Sequence, residues 1–280
     1  MPSRADHHAT DAAAVGLYLD LLKGCLTRLS FPERYEEVNP PGLRGALVDI
    51  VRPILARRDV TLAKRIRFDR QARETGTDWP PEAETMVGLA RLNNLEDCIR
   101  TVVAEEVEGD LIETGVWRGG SAIFMRAVLA ALEVHDRVVW VADSFAGLPP
   151  PDPAHPVDQG DQHHRRAPLV VPLEEVRANF LRYGLLDDQV RFLEGWFKDT
   201  LPDAPIERLS IIRLDGDMYG STIDALTALY PRLAPGGFVI VDDYALIGAR
   251  EAVGDFRREH MIQDPIEEID WTGAFWRRSR

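Results

Sequence analysis

The chain has 280 residues, 45% of them hydrophobic, and carries 33 basic against 46 acidic residues for a formal charge of −13. That length supports one large α/β domain with a full core plus additions, and the acidic balance argues against nucleic acid, whose binding needs a positive face. Cys25 and Cys98 are too few and too far apart in sequence for a disulfide framework or a zinc knuckle, so a reducing, cytoplasmic setting is expected. No run approaches the roughly 18 apolar residues of a membrane span, and Met1 to His8 lead into no apolar leader region.

Residues 10–29 place Val15, Leu17, Leu21, Leu22, Leu26 and Leu29 at helical spacing, with Tyr18, Asp20, Lys23 and Arg28 between them. This predicts an amphipathic helix packed on the main domain or on another subunit. Residues 30–42 read as irregular, broken by Pro32, Pro40 and Pro41, and a short helix follows over 45–57. Residues 61–81 join Lys64, Arg65, Arg67, Arg70 and Arg73 to the break Gly76-Thr77-Asp78-Trp79-Pro80-Pro81. A solvated basic face is the first reading there, and a mobile lid the alternative. With a helix expected over 85–106, the chain divides into an N-terminal helical appendage with a possible lid, 1–90, and a second unit, 91–280.

Strands and helices then alternate. Strands are expected at 110–116, 138–145, 189–197, 209–217 and 238–243, and helices at 122–132, 172–183, 221–233 and 248–260. The runs 266–271 and 274–278 flank Thr272-Gly273 and look like a closing antiparallel hairpin. The fold class is therefore α/β, a doubly wound Rossmann-like sheet with an antiparallel C-terminal hairpin. Residues 146–171, with Pro149, Pro150, Pro151 and Pro153, form a long irregular insertion that would leave the ligand-binding edge of the sheet and wall a pocket. Its adjacent His163 and His164 read as solvated loop residues, because neighbouring side chains diverge.

Two apolar runs break abruptly into carboxylates: Leu214-Asp215-Gly216-Asp217 and Val239-Ile240-Val241-Asp242-Asp243. One Asp after a strand is usually a cap or turn residue. Asp215, Asp242 and Asp243 at two neighbouring strand ends would converge without compensation, and a hard divalent metal is the simplest remedy.

Glu113-Thr114-Gly115-Val116-Trp117-Arg118-Gly119-Gly120-Ser121 joins a strand to a helix. Gly115 permits a sharp turn, Gly119 and Gly120 admit a ligand to the backbone, and the free helix N–H groups suit an anion. The spacing departs from G-x-G-x-x-G, which speaks against a nicotinamide oxidoreductase. Asp143, the first polar residue after its strand, stands where an acid accepts both ribose hydroxyls. Glu113 would repel a pyrophosphate and attract an ammonium group. A ligand with adenosine at one end and an amino acid at the other meets all of this. Its amine would sit on Glu113, its carboxylate near Ser121, its ribose on Asp143 and its adenine on Trp196 and Phe197, with core packing the competing role for Trp196. S-adenosylmethionine is that ligand.

With these pieces assembled, the sequence resembles the class I methyltransferases and, among them, the macrocin O-methyltransferase family, which decorates sugars of actinobacterial natural products. The resemblance is carried by Leu17 to Lys23, Glu113 to Ser121, Asp143-Ser144-Phe145-Ala146-Gly147-Leu148-Pro149, Leu214 to Tyr219, and Pro235-Gly236-Gly237 through Asp242-Asp243-Tyr244. It implies S-adenosylmethionine and Mg²⁺ as cofactors, with Asp215, Asp242 and Asp243 as metal ligands. It also implies Asp217 as general base, because the position where other members carry a histidine is Met218 here; capping the helix that begins near Ser221, or holding a metal-bound water, are the competing roles for Asp217. Gly115, Trp117, Ser144 and Asp215 would complete the cofactor contacts. Phe145, Leu148, Tyr219 and Tyr244 would border the acceptor, a small glycosylated molecule. The resemblance further implies a homo-oligomer, dimer or tetramer, whose N-terminal helices help close the sites. A catechol-type acceptor is a rival, disfavoured by the absence of lysine between Asp215 and Asp243. A metal-dependent glycosyltransferase built on Asp215-Gly216-Asp217 is disfavoured by Glu113, and a catalytically idle binding protein by the intact carboxylates.

Overall fold

The computed structural model describes residues 4–280, with side chains from residue 12 onward; Met1 to Ser3 lie outside the described residues. Helix α1 (Arg4–Leu26) buries Leu19, Leu22 and Leu26 but leaves Leu17 and Leu21 exposed. Apolar residues occur on most sides of this helix, so spacing alone could not choose its buried face. Lys23, expected among the polar positions, is buried: its Nζ meets Glu96 Oε2 and Asn93 Oδ1, each at 2.7 Å.

Strand β1 (Arg34–Glu37) and helix α2 (Leu43–Ala56) follow, then strand β2 (Ala63–Ile66) and helix α3 (Arg70–Thr75). β1, inside the stretch expected to be irregular, pairs antiparallel with β2, inside the stretch expected to be a basic face or lid. Their residues are largely polar and exposed, so no apolar alternation announced them. Asp69 caps α3 by accepting from Ala72 N at 3.0 Å, and Gly76 ends it in the left-handed region at φ 68°. Arg73 does not lie on a solvated face. It is 0% exposed, donates to Val87 O at 2.9 Å and faces Asp78 at 3.0 Å, without the alignment of a hydrogen bond.

Helix α4 (Leu89–Ala104) starts later than the sequence pattern, because Glu84 and Thr85 spend their amides on Leu26 O and the chain stays irregular up to Gly88. The sheet then builds from β3 (Asp110–Thr114), α5 (Gly120–Ala131), β4 (Val139–Asp143), α6 (Leu173–Arg182), β5 (Val190–Glu194) and α7 (Phe197–Thr200). It continues through β6 (Leu209–Leu214), α8 (Tyr219–Leu229), β7 (Leu233–Val241), α9 (Ile247–Glu259), β8 (Glu267–Glu268) and β9 (Ala274–Arg277). The seven-stranded order is β5-β4-β3-β6-β7-β9-β8, with β9 running antiparallel to both its neighbours and every other pairing parallel.

Successive residues of a strand serve opposite faces. Leu111 joins Leu92, Ile99 and Phe124 in one core, while Ile112 joins Ile212, Val239, Phe256 and Trp276 in the other. α1 adds Leu19, Leu22 and Leu26 to the first core, whereas α2 buries no residue at all. The region up to residue 90 is thus partly core of the main unit and partly a projecting surface. The insertion 146–171 is folded into three short 3-10 turns.

Arg73→Ala would leave Asp78 and the 86–87 carbonyls without their buried partner. We expect a loss of about 3–5 kcal/mol, read from urea unfolding midpoints.

Candidate active site

Register sets the site. Thr114 pairs with Ala142 and Leu214, and Leu214 pairs with Val241. The residues one step further, Asp143, Gly115, Asp215 and Asp242, therefore arrive in a row at the C-terminal edge of the parallel strands, the position at which open α/β sheets take ligands. Gly115, at φ +84°, is packed so closely that a Cβ there would lie 1.7 Å from the Asp215 carbonyl oxygen. No other residue fits.

A cavity of about 480 Å³ opens on this edge. Of the residues nominated by sequence, it is lined by Gly115, Trp117, Asp143, Ser144, Leu148, Trp196, Phe197, Asp215 and Asp217. Met86, His155, Asp158, Lys198, Ser221 and Asp224 also line it, with the run 149–153. Phe145, Tyr219 and Tyr244, expected to border the acceptor, do not. Phe145 is 7% exposed and packs near Phe192 in the core. Tyr219 donates its hydroxyl to Asp255 at 3.1 Å, and Tyr244 packs against the second core. Ser121 is likewise buried, 3.4 Å from Thr85 Oγ1, and does not reach the cavity.

Asp242 and Asp243, beside Asp215, bring carboxylate oxygens to within 4.8 Å of its own and of each other, although neither they nor Glu113 line the cavity. Arg213, 2% exposed, reaches Glu113 at 2.5 Å, Asp215 at 2.8 Å and one oxygen of Asp242. Arg91 pairs with the other Asp242 oxygen and with Asp270 at 3.0 Å. Glu113, Asp215, Asp217, Asp242 and Asp243 still outnumber these two guanidiniums. Burial pushes Glu113 up to about 8 despite Arg213, which it shares with two other acids. Asp243 is raised by burial and then by repulsion from Asp217, Asp215 and Asp242; Asp217 is raised by burial and then by Asp215. Surplus negative charge on oxygen donors alone fits a hard divalent cation.

The cofactor end has a different chemistry. Asp143 accepts from Val116 N and Phe145 N, each at 2.8 Å, and a carboxylate so engaged keeps lone pairs for ribose hydroxyls. Glu113 Oε2 is buried without a partner, an unmet acceptor that an ammonium group would satisfy. Trp196 is 36% exposed, so it offers an aromatic face rather than a core contact. These features fit S-adenosylmethionine. His163, read as solvated, is instead half-buried, with Nδ1 2.6 Å from Asp161 Oδ2, and it lies near enough to Asp217 to draw its pKa down.

The family model for macrocin O-methyltransferase (TylF) matches residues 15–278. The chain belongs to that family. It is 62% identical over 265 residues, 94% of this chain and 93% of the relative, to the 8-demethyl-8-(2,3-dimethoxy-alpha-L-rhamnosyl)-tetracenomycin-C 4'-O-methyltransferase of Streptomyces olivaceus. It is 47% identical over 272 residues, 96% of this chain and 98% of the relative, to the mycinamicin III 3''-O-methyltransferase of Micromonospora griseorubida. The solved structure of the O-methyltransferase NovP superposes with a TM-score of 0.82 at 43% identity, covering 95% of this chain and all of that one. The calicheamicin methyltransferase CalS11, at TM-score 0.55 and 18% identity, shares the fold.

In this macrocin O-methyltransferase family member, sequence reasoning missed the two buried arginines that hold the acidic cluster, Arg213 and Arg91. Arg213 had a signal: a charged residue inside the wholly buried strand β6 must find partners. Arg91 had none, because its partners lie 151 and 179 residues away.

Without a metal ion, Glu113 has a folded pKa of about 8, raised from 4.5. Its contribution to stability is complete below the unfolded value and is lost as pH rises through the folded one. Between about pH 5 and pH 8, melting of the metal-free protein should therefore fall relative to that of Glu113→Gln, which cannot titrate. Parallel melting curves across that range would remove the raised pKa.

Proposed function

We propose that this chain transfers a methyl group from S-adenosylmethionine to a sugar hydroxyl of a small glycosylated natural product, in a reaction that uses a divalent cation. The observation that carries this reading is one cavity lined by Gly115, Asp143 and Trp196 together with Asp215 and Asp217. The names of the relatives support the acceptor class, since they act on a rhamnosyl tetracenomycin and on mycinamicin III.

Glu113, with its free Oε2, would hold the methionine amine, Asp143 the ribose, and Trp196 with Phe197 the adenine. Asp215, Asp242 and Asp243 would hold a divalent cation such as Mg²⁺. Bound there, the cofactor offers an electrophilic methyl group and the cation Lewis acidity toward a hydroxyl. Asp217 accepts the hydroxyl proton. It lines the cavity, its amide is fixed on Asp243 Oδ2 at 3.1 Å, and its raised pKa makes it a better base than an ordinary carboxylate. Leu148, Met86 and the prolines of 149–153 exclude water from the reacting groups.

The same reading makes the protein a homo-oligomer. α2 exposes Leu43, Leu47, Ile50, Val51 and Ile54, and α1 exposes Leu17 and Leu21. A second copy of the chain would cover these apolar residues.

Asp217→Asn should lower kcat by about a hundredfold or more while leaving S-adenosylmethionine affinity near that of the wild type, measured by calorimetry and by methyl transfer to a rhamnosylated tetracenomycin. Chelation should abolish turnover but not cofactor binding. Absence of cofactor binding by the wild-type protein would overturn the assignment. For assembly, light scattering should give a multiple of 31.4 kDa that drops to monomer when Leu47 and Ile54 are both replaced by lysine.

A further inference from the structure

The insertion 146–171 supplies a wall of the cavity, and it is seated by one buried acid. Asp158, 4% exposed, closes the 3-10 turn Pro156–Asp158. Its Oδ1 accepts from Tyr219 N at 2.8 Å and its Oδ2 from Gly220 N at 3.0 Å. These are the first amides of α8, a helix with no cap of its own: Met218 at the N-cap position makes no side-chain cap bond, and its first turn holds no acid. The cap comes from a loop 61 residues upstream. A carboxylate there is favoured twice, by its hydrogen bonds to the amides and by the helix dipole.

The seat is shaped for this turn. A Cβ on Gly248, in the first turn of α9, would lie 2.8 Å from Asp158 Oδ1 and 2.9 Å from Tyr219 N. A Cβ on Gly220 would lie 3.1 Å from His155 Cδ2, and the His155 and Tyr219 rings pack with centroids 5.0 Å apart. The turn thus sits between the starts of α8 and α9, the helices that follow Asp215 to Asp217 and Asp242 to Asp243.

We propose that Asp158 is a positioning residue that sets the insertion's wall of the cavity and the Asp215 to Met218 turn as one unit. In the wall, the segment it seats carries Leu148, the run 149–153 and His155 into the cavity. In the turn, Asp217 holds φ at 58°, a conformation uncommon for a side-chain-bearing residue that needs fixed surroundings. Asp243 fixes it on one side at 3.1 Å, and Asp158 fixes the backbone just after it on the other. The far end of the insertion is held separately, by Trp117 Nε1 donating to Pro168 O at 2.8 Å. Release of Asp158 therefore frees the near part of the insertion and leaves its end in place.

The kinetic arm of the test rests on the methyl-transfer reading, while hydrogen exchange and proteolysis do not. The variants are Asp158→Ala, Asp158→Asn and Gly248→Ala, the last of which keeps the acid but crowds its oxygen. Below the melting temperature, the amides of Tyr219 and Gly220 and the bonded amides of the near part, Ala154, His155, Asp158, Gln159, Asp161 and His163, should exchange at least about tenfold faster, with those of Leu169 and Val170 unchanged. Trypsin should cut faster after Arg165 or Arg166. KM for S-adenosylmethionine should rise about tenfold and kcat fall by up to a hundredfold, with Asp158→Asn between wild type and Asp158→Ala. A simple helix cap would speed exchange at Tyr219 and Gly220 alone, leaving loop protection and KM unchanged; that result overturns the proposal. So does unchanged exchange in Gly248→Ala and Asp158→Asn, should Asp158→Ala fail to fold. If the wild type transfers no methyl group, the methyl-transfer reading fails, and exchange and proteolysis still decide the docking.

Discussion

The candidate site depends on Arg213, a guanidinium placed in the middle of a hydrophobic sheet. All of β6 is buried, and burying an unpaired charge there would be prohibitive. Arg213 instead spans three strand ends, reaching Glu113 after β3's core residues, Asp215 after β6 and Asp242 after β7. The acids need the arginine, and the arginine needs the acids. Arg91 extends the same network to Asp270 in the C-terminal hairpin, where Thr272 also donates its hydroxyl to Asp242 O at 3.1 Å. The hairpin that closes the sheet thereby helps fix the carboxylates at its centre.

This arrangement sets two kinds of chemistry side by side at one edge of the sheet. Glu113 and Asp215 lie on neighbouring strands and touch the same guanidinium, while Gly115 lets the two strand ends meet without a side chain between them. On one flank, the Asp143 carboxylate and an aromatic surface suit a nucleoside; on the other, carboxylates in excess of their counter-charges suit a cation. The membership in the macrocin O-methyltransferase family agrees with the nucleoside flank, since its methyltransferase fold implies S-adenosylmethionine.

Around that fixed floor, the walls come from segments distant in sequence. Met86 arrives from the stretch before α4, which Arg73 holds by its carbonyls, and the insertion arrives after β4. Arg166 stacks over Trp79 at 5.0 Å, so the two walls also meet each other. Neither is a free loop. Each is tied down by a buried polar residue at a place where the backbone would otherwise lack partners.

Much of this was legible in the sequence. Parallel strands buried on both faces must be continuous apolar runs, so β3, β4, β6 and β7 announced themselves, and the abrupt change to Asp143, Asp215, Asp242 and Asp243 marked their ends. Gly115 could be recognised because only a glycine tolerates so tight a turn beside another strand. The sequence by itself thus determined the fold class, the row of carboxylates and the family. What only the tertiary structure decided is how those charges are balanced and which side chains face the cavity. Arg91 and Asp158 serve groups far away in the chain, and Phe145, Tyr219 and Tyr244 turn toward packing partners that local spacing cannot reveal. Periodicity records which face of an element is apolar, whereas the pairing of buried charges depends on neighbours that only folding brings together.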